Sequence, residues 1–345
     1  MKSNRSFFIS LLSVISCFSV VILHTNVAFW KYSTERYWKT SNIIETFFYF
    51  AVPCFFMISG ATLMDYNERY NLKEYFIKRI RKTVIPFFIW SIIGFLFYGY
   101  ILKTLNPSSY SIKDIYNSIM STSIVTVYWF FPHLFVVYLG IPVFAAISKD
   151  KRKEIFTYLA IAGFILNAAI PFANTIFKLE LKLPITVSVV SKYLIFVVIG
   201  YLLNEYELSK KWRIIIYCCA IFGFFAHLIG TYNLSTAAGK VIKTYKGYYN
   251  MMPIMQGVGV FVFFKYNSHY IEKDKIKKIV FFLSKYTFGV YLIHKFILDW
   301  ILRFSFIDNR SLLFRLGTPF IILAISIVII TLVRKIPFIN KLLFP

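Results

Sequence analysis

Acidic side chains are scarce in this chain: 15 aspartates and glutamates stand against 39 lysines and arginines, a formal charge of +24. Cysteine is scarcer still, with four in 345 residues. Cys17, Cys54, Cys218 and Cys219 all fall inside apolar runs without ligand-like spacing, so they read as small packing residues rather than a disulfide framework or a zinc site. No Walker motif, Gly-x-Ser-x-Gly, His-Glu-x-x-His or aspartate-rich metal loop occurs, which leaves ATP hydrolysis, a serine-hydrolase elbow and zinc proteolysis without support. Long polar stretches are missing as well. The longest polar connections, 65–83, 105–123, 232–248 and 265–278, are too short for a separate soluble domain, which needs at least about 50 residues. No internal repeat is visible. The basic excess does not imply nucleic acid, because no basic block stands on a soluble domain; basic loops beside anionic lipid headgroups explain it.

Hydrophobic residues make up 58% of the chain and aromatics 20%, with a mean hydropathy of +0.65. Apolar runs of about 20 residues, long enough to cross a hydrocarbon core of about 30 Å, recur throughout. They fall at roughly 7–29, 43–64, 84–104, 124–147, 155–177, 185–203, 213–231, 249–264, 279–302 and 312–333. Lys192 interrupts the sixth; Pro253, Gly257 and Gly259 weaken the eighth; His294, Lys295 and Asp299 sit in the ninth. Lipid admits only helices or closed barrels, and the runs do not alternate as barrel strands do. The expectation is an all-α, polytopic membrane protein of about ten transmembrane helices, forming one transmembrane domain over 1–345. The first run lacks a small-residue cleavage pattern and is expected to be a retained anchor. Basic residues concentrate at 65–82, 149–153, 210–213, 265–278 and 334–341, which places those segments and both termini in the cytoplasm. Segments 71–82 and 111–119 read as amphipathic interfacial helices.

An ionisable residue at membrane depth is costly and marks a site by default. His24, near the outer end of the first run, is the foremost candidate. On this topology His133, His227 and His294 lie at a similar outer depth, which would make a polar chamber opening outward. Imidazole, with an ordinary pKa of about 6.5, suits proton transfer there. For His133 and His227 the simpler reading is interfacial placement alongside Trp and Tyr. Glu45, read as beginning the second helix, either orients the His24 imidazole or is a charge favoured by a helix N-terminus. Lys295 and Asp299, spaced i,i+4, read as an ion pair. The run Lys78-Arg79-Ile80-Arg81-Lys82 before Pro86 is either topology-setting charge or a grip for a phosphorylated donor such as a CoA ester, since guanidinium binds phosphate bidentately. In Val52–Ala61, Pro53 predicts a kink and Ser59-Gly60 a close-packing face.

Five elements in order resemble the acyltransferase family 3 integral-membrane proteins, bacterial enzymes that O-acetylate surface polysaccharides. These are Val-Val-Ile-Leu-His24-Thr25; Phe55-Phe56-Met57-Ile58-Ser59-Gly60; Lys78-Arg79-Ile80-Arg81-Lys82 with Pro86; Tyr128-Trp129-Phe130; and Tyr291-Leu292-Ile293-His294. The resemblance spans essentially the whole chain. One departure is Ser13, where the family usually has an arginine eleven residues before its histidine. At about 100° per residue the two positions share a helix face, about 16 Å apart. Arg5 or Lys192 are the candidate substitutes.

The resemblance implies a plasma-membrane, multi-pass enzyme that moves an acyl group, acetyl by default, from cytoplasmic acyl-CoA to a hydroxyl of a cell-surface or lipid-linked glycan outside. His24 would be general base or acyl relay, with Glu45 its partner. Lys78, Arg79 and Arg81 would hold the donor's phosphates. Ser59, Trp129, His133 and His294 would line the path. No bound cofactor or metal is expected; acetyl-CoA is a co-substrate, and membrane lipids, the CoA donor and the glycan acceptor are the partners. Three alternatives stay open. A glycan or lipid-intermediate transporter or flippase would favour internal pseudo-symmetry. A glycan polymerase or ligase would need a large outer loop. A non-catalytic membrane partner or sensor is the reading that Ser13 keeps alive.

Overall fold

The computed structural model describes residues 6–181, 185–304, 306–337 and 339–345, and among these the chain is helical with no strand. Arg5, one candidate substitute for the missing arginine, lies outside the described residues. In chain order the helices are α1 (Phe7–Thr25), α2 (Arg36–Phe48), α3 (Ala51–Leu63), α4 (Leu72–Arg79), α5 (Ile85–Leu96) and α6 (Ile112–Met120). There follow α7 (Phe130–Ala145), α8 (Lys149–Phe164), α9 (Ile170–Phe177), α10 (Leu194–Glu205) and α11 (Lys210–Ala238). The last five are α12 (Met251–Asn267), α13 (Asp274–Ser284), α14 (Thr287–Phe304), α15 (Leu312–Arg334) and α16 (Ile339–Leu343).

Among the described residues seven helical stretches are long and apolar enough to cross a membrane: Phe7–Thr25, Arg36–Glu68, Leu72–Ile101, Thr126–Ala145, Lys149–Phe177, Lys210–Ala238 and Leu312–Arg334. The other three expected crossings are helices that are shorter or more polar. The sixth shrinks to α10, 12 residues, because the chain turns at Lys192, whose φ of 50° is left-handed. Lys192 is therefore an exposed turn residue and not a charge within a crossing, which removes it as a substitute for the missing arginine. The eighth is α12, 17 residues, and the ninth is α14, 18 residues carrying Lys295, Asp299 and Arg303.

Prolines shape the long stretches. Pro53 sits in the first turn of α3, and the break falls four residues earlier at Tyr49-Phe50, where its ring would meet the carbonyl of residue i−4. In the same way Ile80–Val84 and Ile165–Ala169 widen into π turns just before Pro86 and Pro171. Both expected amphipathic segments are helices. Asn71 caps α4 through the Glu74 N–H, and Ser111 and Asp114 form a reciprocal capping box on α6. Ile112 and Tyr116 stand exposed on α6.

The chain forms two compact units, Met1–Asp65 with Gly140–Ser284, and Tyr66–Leu139 with Lys285–Pro345. In the first, α1 packs on α2, α3, α12 and α13, α8 packs on α10, and α11 on α12. Its tightest seam joins α3 to α10. A Cβ on Gly60 would stand 2.0 Å from the Val197 carbonyl oxygen, and one on Gly200 would stand 2.1 Å from that of Met57. The two backbones meet reciprocally, which bears out the close-packing face read from Ser59-Gly60. In the second unit, Phe87 centres an aromatic core with Tyr128, Phe131 and Phe135, ring centroids 5.1–6.1 Å away. There α14 packs on α15 and α5, and α16 closes against α5.

Gly60→Ala and Gly200→Ala should each destabilise the protein by at least about 1–3 kcal/mol, because backbone rather than a movable side chain blocks the methyl. Gly317→Ala on α15, whose Cβ would meet nothing nearer than Leu313 at 3.6 Å, should be neutral or stabilising. Thermal melts of the detergent-solubilised variants check the contrast.

Candidate active site

At the end of α1 three polar residues follow one another, His24, Thr25 and Asn26. His24 is half-buried, while Thr25 and Asn26 are fully buried. A short turn, Val27–Trp30, then docks on α2, with Trp38 Nε1 donating to the Phe29 carbonyl at 2.9 Å and the two rings stacked. Asn26 Nδ2 donates to the Ser41 carbonyl at 2.9 Å and to Glu45 Oε2 at 3.4 Å. Glu45 is buried. It lies near the C-terminal end of α2, since that helix starts at Arg36 rather than at residue 43. This corrects the alternative in which a helix N-terminus stabilised it: the carboxylate sits toward the negative end of the helix and needs another positive partner.

That partner is Lys246, from the connection between α11 and α12. Its Nζ lies 3.7 Å from Glu45 Oε1, with both side chains almost wholly buried at 1% and 3% exposure. The ammonium also rests over the Phe29 and Tyr49 rings, 4.4 and 4.3 Å from their centroids. Tyr49 stacks on Tyr248 with centroids 4.3 Å apart. Burial pushes the Lys246 ammonium below the ordinary lysine value, and the facing Glu45 carboxylate works in the opposite direction.

His227 completes the cluster. It is fully buried, which corrects its reading as an interfacial side chain. Its Nε2 lies 3.5 Å from Lys246 Nζ and its Nδ1 3.2 Å from Gln256 Oε1. An ammonium only donates, so Nε2 accepts; Nδ1 then carries the proton and donates to the amide oxygen. Gln256 Nε2 in turn donates to the Thr46 carbonyl at 3.4 Å. The polarity is consistent at every link, and two arms run outward from one lysine: to His227, Gln256 and Thr46 on one side, and to Glu45 on the other. Such a network holds the His227 imidazole in one tautomer and the Glu45 carboxylate against the Lys246 ammonium.

The remaining expected residues divide between the units. Ser59, half-buried on α3, returns its hydroxyl to the Phe55 carbonyl at 3.1 Å. In the second unit Lys78 pairs with Glu74 at 3.7 Å and lies 3.6 Å above the Tyr70 ring. Arg79 lies over the rings of Tyr75 and Tyr138, 5.7 and 5.5 Å from their centroids. Arg81 is exposed within the π turn Ile80–Val84. Trp129 and His133 meet edge to face, centroids 5.9 Å apart. Tyr128 donates to the Leu292 carbonyl at 2.7 Å and Tyr291 to that of Val127, tying the Tyr-Trp-Phe segment to α14. His294 is fully buried there, and its Nδ1 lies 2.7 Å from the Tyr291 carbonyl, so Nδ1 is the protonated nitrogen. Lys295 and Asp299 form the expected ion pair, and Tyr98 adds a 2.7 Å hydrogen bond to Asp299. His24 and His227 thus belong to the first unit, and His133 and His294 to the second.

Asn26, Lys246 and Gln256 were not singled out from the sequence. Gln256 carries a usable signal, an amide within the apolar run Met251–Phe264, and Asn26 follows the foremost histidine by two. Lys246 carries none, because a loop lysine is ordinarily solvated.

A family model described as an acyltransferase domain matches residues 7–334. No curated protein and no solved structure matches the chain.

Lys246→Met would strand the Glu45 carboxylate in a buried site, at an expected cost of about 3–5 kcal/mol. The double variant Lys246→Met/Glu45→Gln should lose less than Lys246→Met alone, since no uncompensated charge remains. Comparison of the thermal midpoints of both variants with Glu45→Gln closes the cycle.

Proposed function

The chain belongs to acyltransferase family 3, and on that premise we propose that it transfers an acyl group, acetyl by default, from cytoplasmic acyl-CoA to a hydroxyl of a surface or lipid-linked glycan on the outer side of the plasma membrane. The proposal includes ten crossings with both termini in the cytoplasm, the arrangement that the basic segments favour. His24 is the general base. As the acceptor oxygen attacks the acyl carbonyl, the C–O bond forms and the C–S bond breaks. His24 takes the hydroxyl proton and returns it to the departing thiolate, so the enzyme ends as it began.

The observation that carries this reading is the buried Glu45 carboxylate, fixed by Asn26 two residues beyond His24 and balanced by Lys246. In the proposed mechanism the Glu45 charge stabilises the imidazolium that a general base passes through in the transition state. Lys78, Arg79 and Arg81 are assigned to the donor's phosphates. Ser59, Trp129, His133 and His294 are assigned to the substrate path, the last two as positioning rather than acid–base groups. Support for the donor assignment comes from the exposure of Arg81, which leaves its guanidinium open to a soluble donor.

Membranes carrying the protein, given radiolabelled acetyl-CoA and surface glycan, should place label in a base-labile ester on the glycan. His24→Ala should lower that transfer by roughly 100- to 10,000-fold without loss of folded protein. Unchanged transfer in that variant would remove His24 from the mechanism. Replacing Arg79 and Arg81 by alanine should raise the half-saturating acetyl-CoA concentration roughly 10- to 100-fold, as loss of charge-assisted phosphate contacts would. If only membrane insertion suffers, those residues set topology alone.

A further inference from the structure

Beside the buried network, within the first unit, lies a cavity of about 280 Å³, walled by the π turn and first turns of α9 on one side and by residues 244–250 on the other. We infer that this cavity is the subsite for one neutral, hydroxyl-bearing sugar ring of the acceptor, an assignment that rests on the acyltransferase reading above.

Its size is the first argument. Pockets for small molecules run to about 300–1,000 Å³, so this one, just below that range, fits a single ring rather than an extended chain. Its chemistry is the second. Phe172 and Tyr249 line it with aromatic rings for the apolar face of a sugar, Thr244 adds a hydroxyl, and Thr175, whose hydroxyl donates to the Pro171 carbonyl at 2.9 Å, can still accept. Lys246 is the one charged residue in the wall, and Glu45 already balances it. No uncompensated cation is left for a phosphate, so the cavity suits a sugar and not the CoA donor.

Preorganisation is the third argument. Asn167 sits in the π turn at i−4 from Pro171, and its carboxamide both donates to the Val187 carbonyl and accepts from the Val187 N–H, each at 2.9 Å. Asn250 donates to the Thr244 carbonyl at 2.6 Å and accepts from the Met251 N–H at 2.7 Å. The opposite wall turns at Gly247, whose φ of 127° only glycine adopts without strain. Both amides serve the backbone, so they fix the walls before any ligand arrives. Finally, Lys246 belongs at once to the cavity wall and to the Glu45–His227 network, which puts an occupant beside that network.

Oligosaccharides released from the surface glycan of the producing cell, titrated into the detergent-solubilised full chain and followed by saturation-transfer NMR, test the assignment independently of acyl transfer. Binding should be seen with wild type and with His24→Ala. It should vanish in Thr175→Trp, which fills the cavity, and weaken roughly three- to tenfold in Tyr249→Ala, which removes one aromatic face from an exposed position. Undiminished binding in both variants, or none in wild type, overturns the subsite. Sugar binding with this sensitivity but no acetyl transfer by wild type would support the subsite and sink the acyltransferase reaction, so the two failures are separable.

Discussion

A lysine and a glutamate taken together out of water form the constraint on which the first unit depends. Neither the Glu45 carboxylate nor the Lys246 ammonium is tolerable alone at such burial, so each requires the other, and the pair draws further polar groups around it. That requirement organises residues far apart in sequence. Asn26 closes one carboxylate oxygen from the end of α1, His227 comes from α11, and Gln256 comes from α12. The aromatic rings of Phe29 and Tyr49 cover the ammonium where no acceptor is available. Replacing the whole set by apolar side chains would be simpler for stability alone. Retention of a buried charged network is what the proposed, electrostatically prepared reaction site would require.

Much of the fold is readable from residue types because the bilayer leaves few options. The apolar runs mark the helices, Pro53 announces a break, Ser59-Gly60 announces the α3–α10 seam, and the spacing of Lys295 and Asp299 announces their pairing. Helix ends are less readable. Glu45 looked like a helix start because the hydrophobic run begins near residue 43, whereas the amphipathic turns from Arg36 onward are already helical. The sixth run misled in the opposite direction: hydropathy counts residues 185–193 as part of a crossing, although a left-handed turn at Lys192 keeps them out of α10.

The site was legible in half. His24 and Glu45 stand out because charge within an apolar run is conspicuous. Lys246 does not, because in sequence it is one more basic residue in a loop, and only the tertiary fold takes it out of solvent. His227 shows the same limit. Depth along a helix can be counted from sequence, but which face turns inward depends on the neighbours, here α12 with Gln256. Ser13 stays a departure from the family pattern. It is buried on α1 eleven residues before His24.

The seam between α3 and α10 has a mechanical meaning. Two glycine-to-carbonyl approaches of opposite sense, Gly60 on Val197 and Gly200 on Met57, oppose both sliding and rolling of one helix on the other. These helices therefore travel as a single strut. A carrier working by rocking would need compliance between such neighbours, whereas an enzyme gains from rigidity there, because a stiff scaffold holds reacting groups in register while only the substrates move.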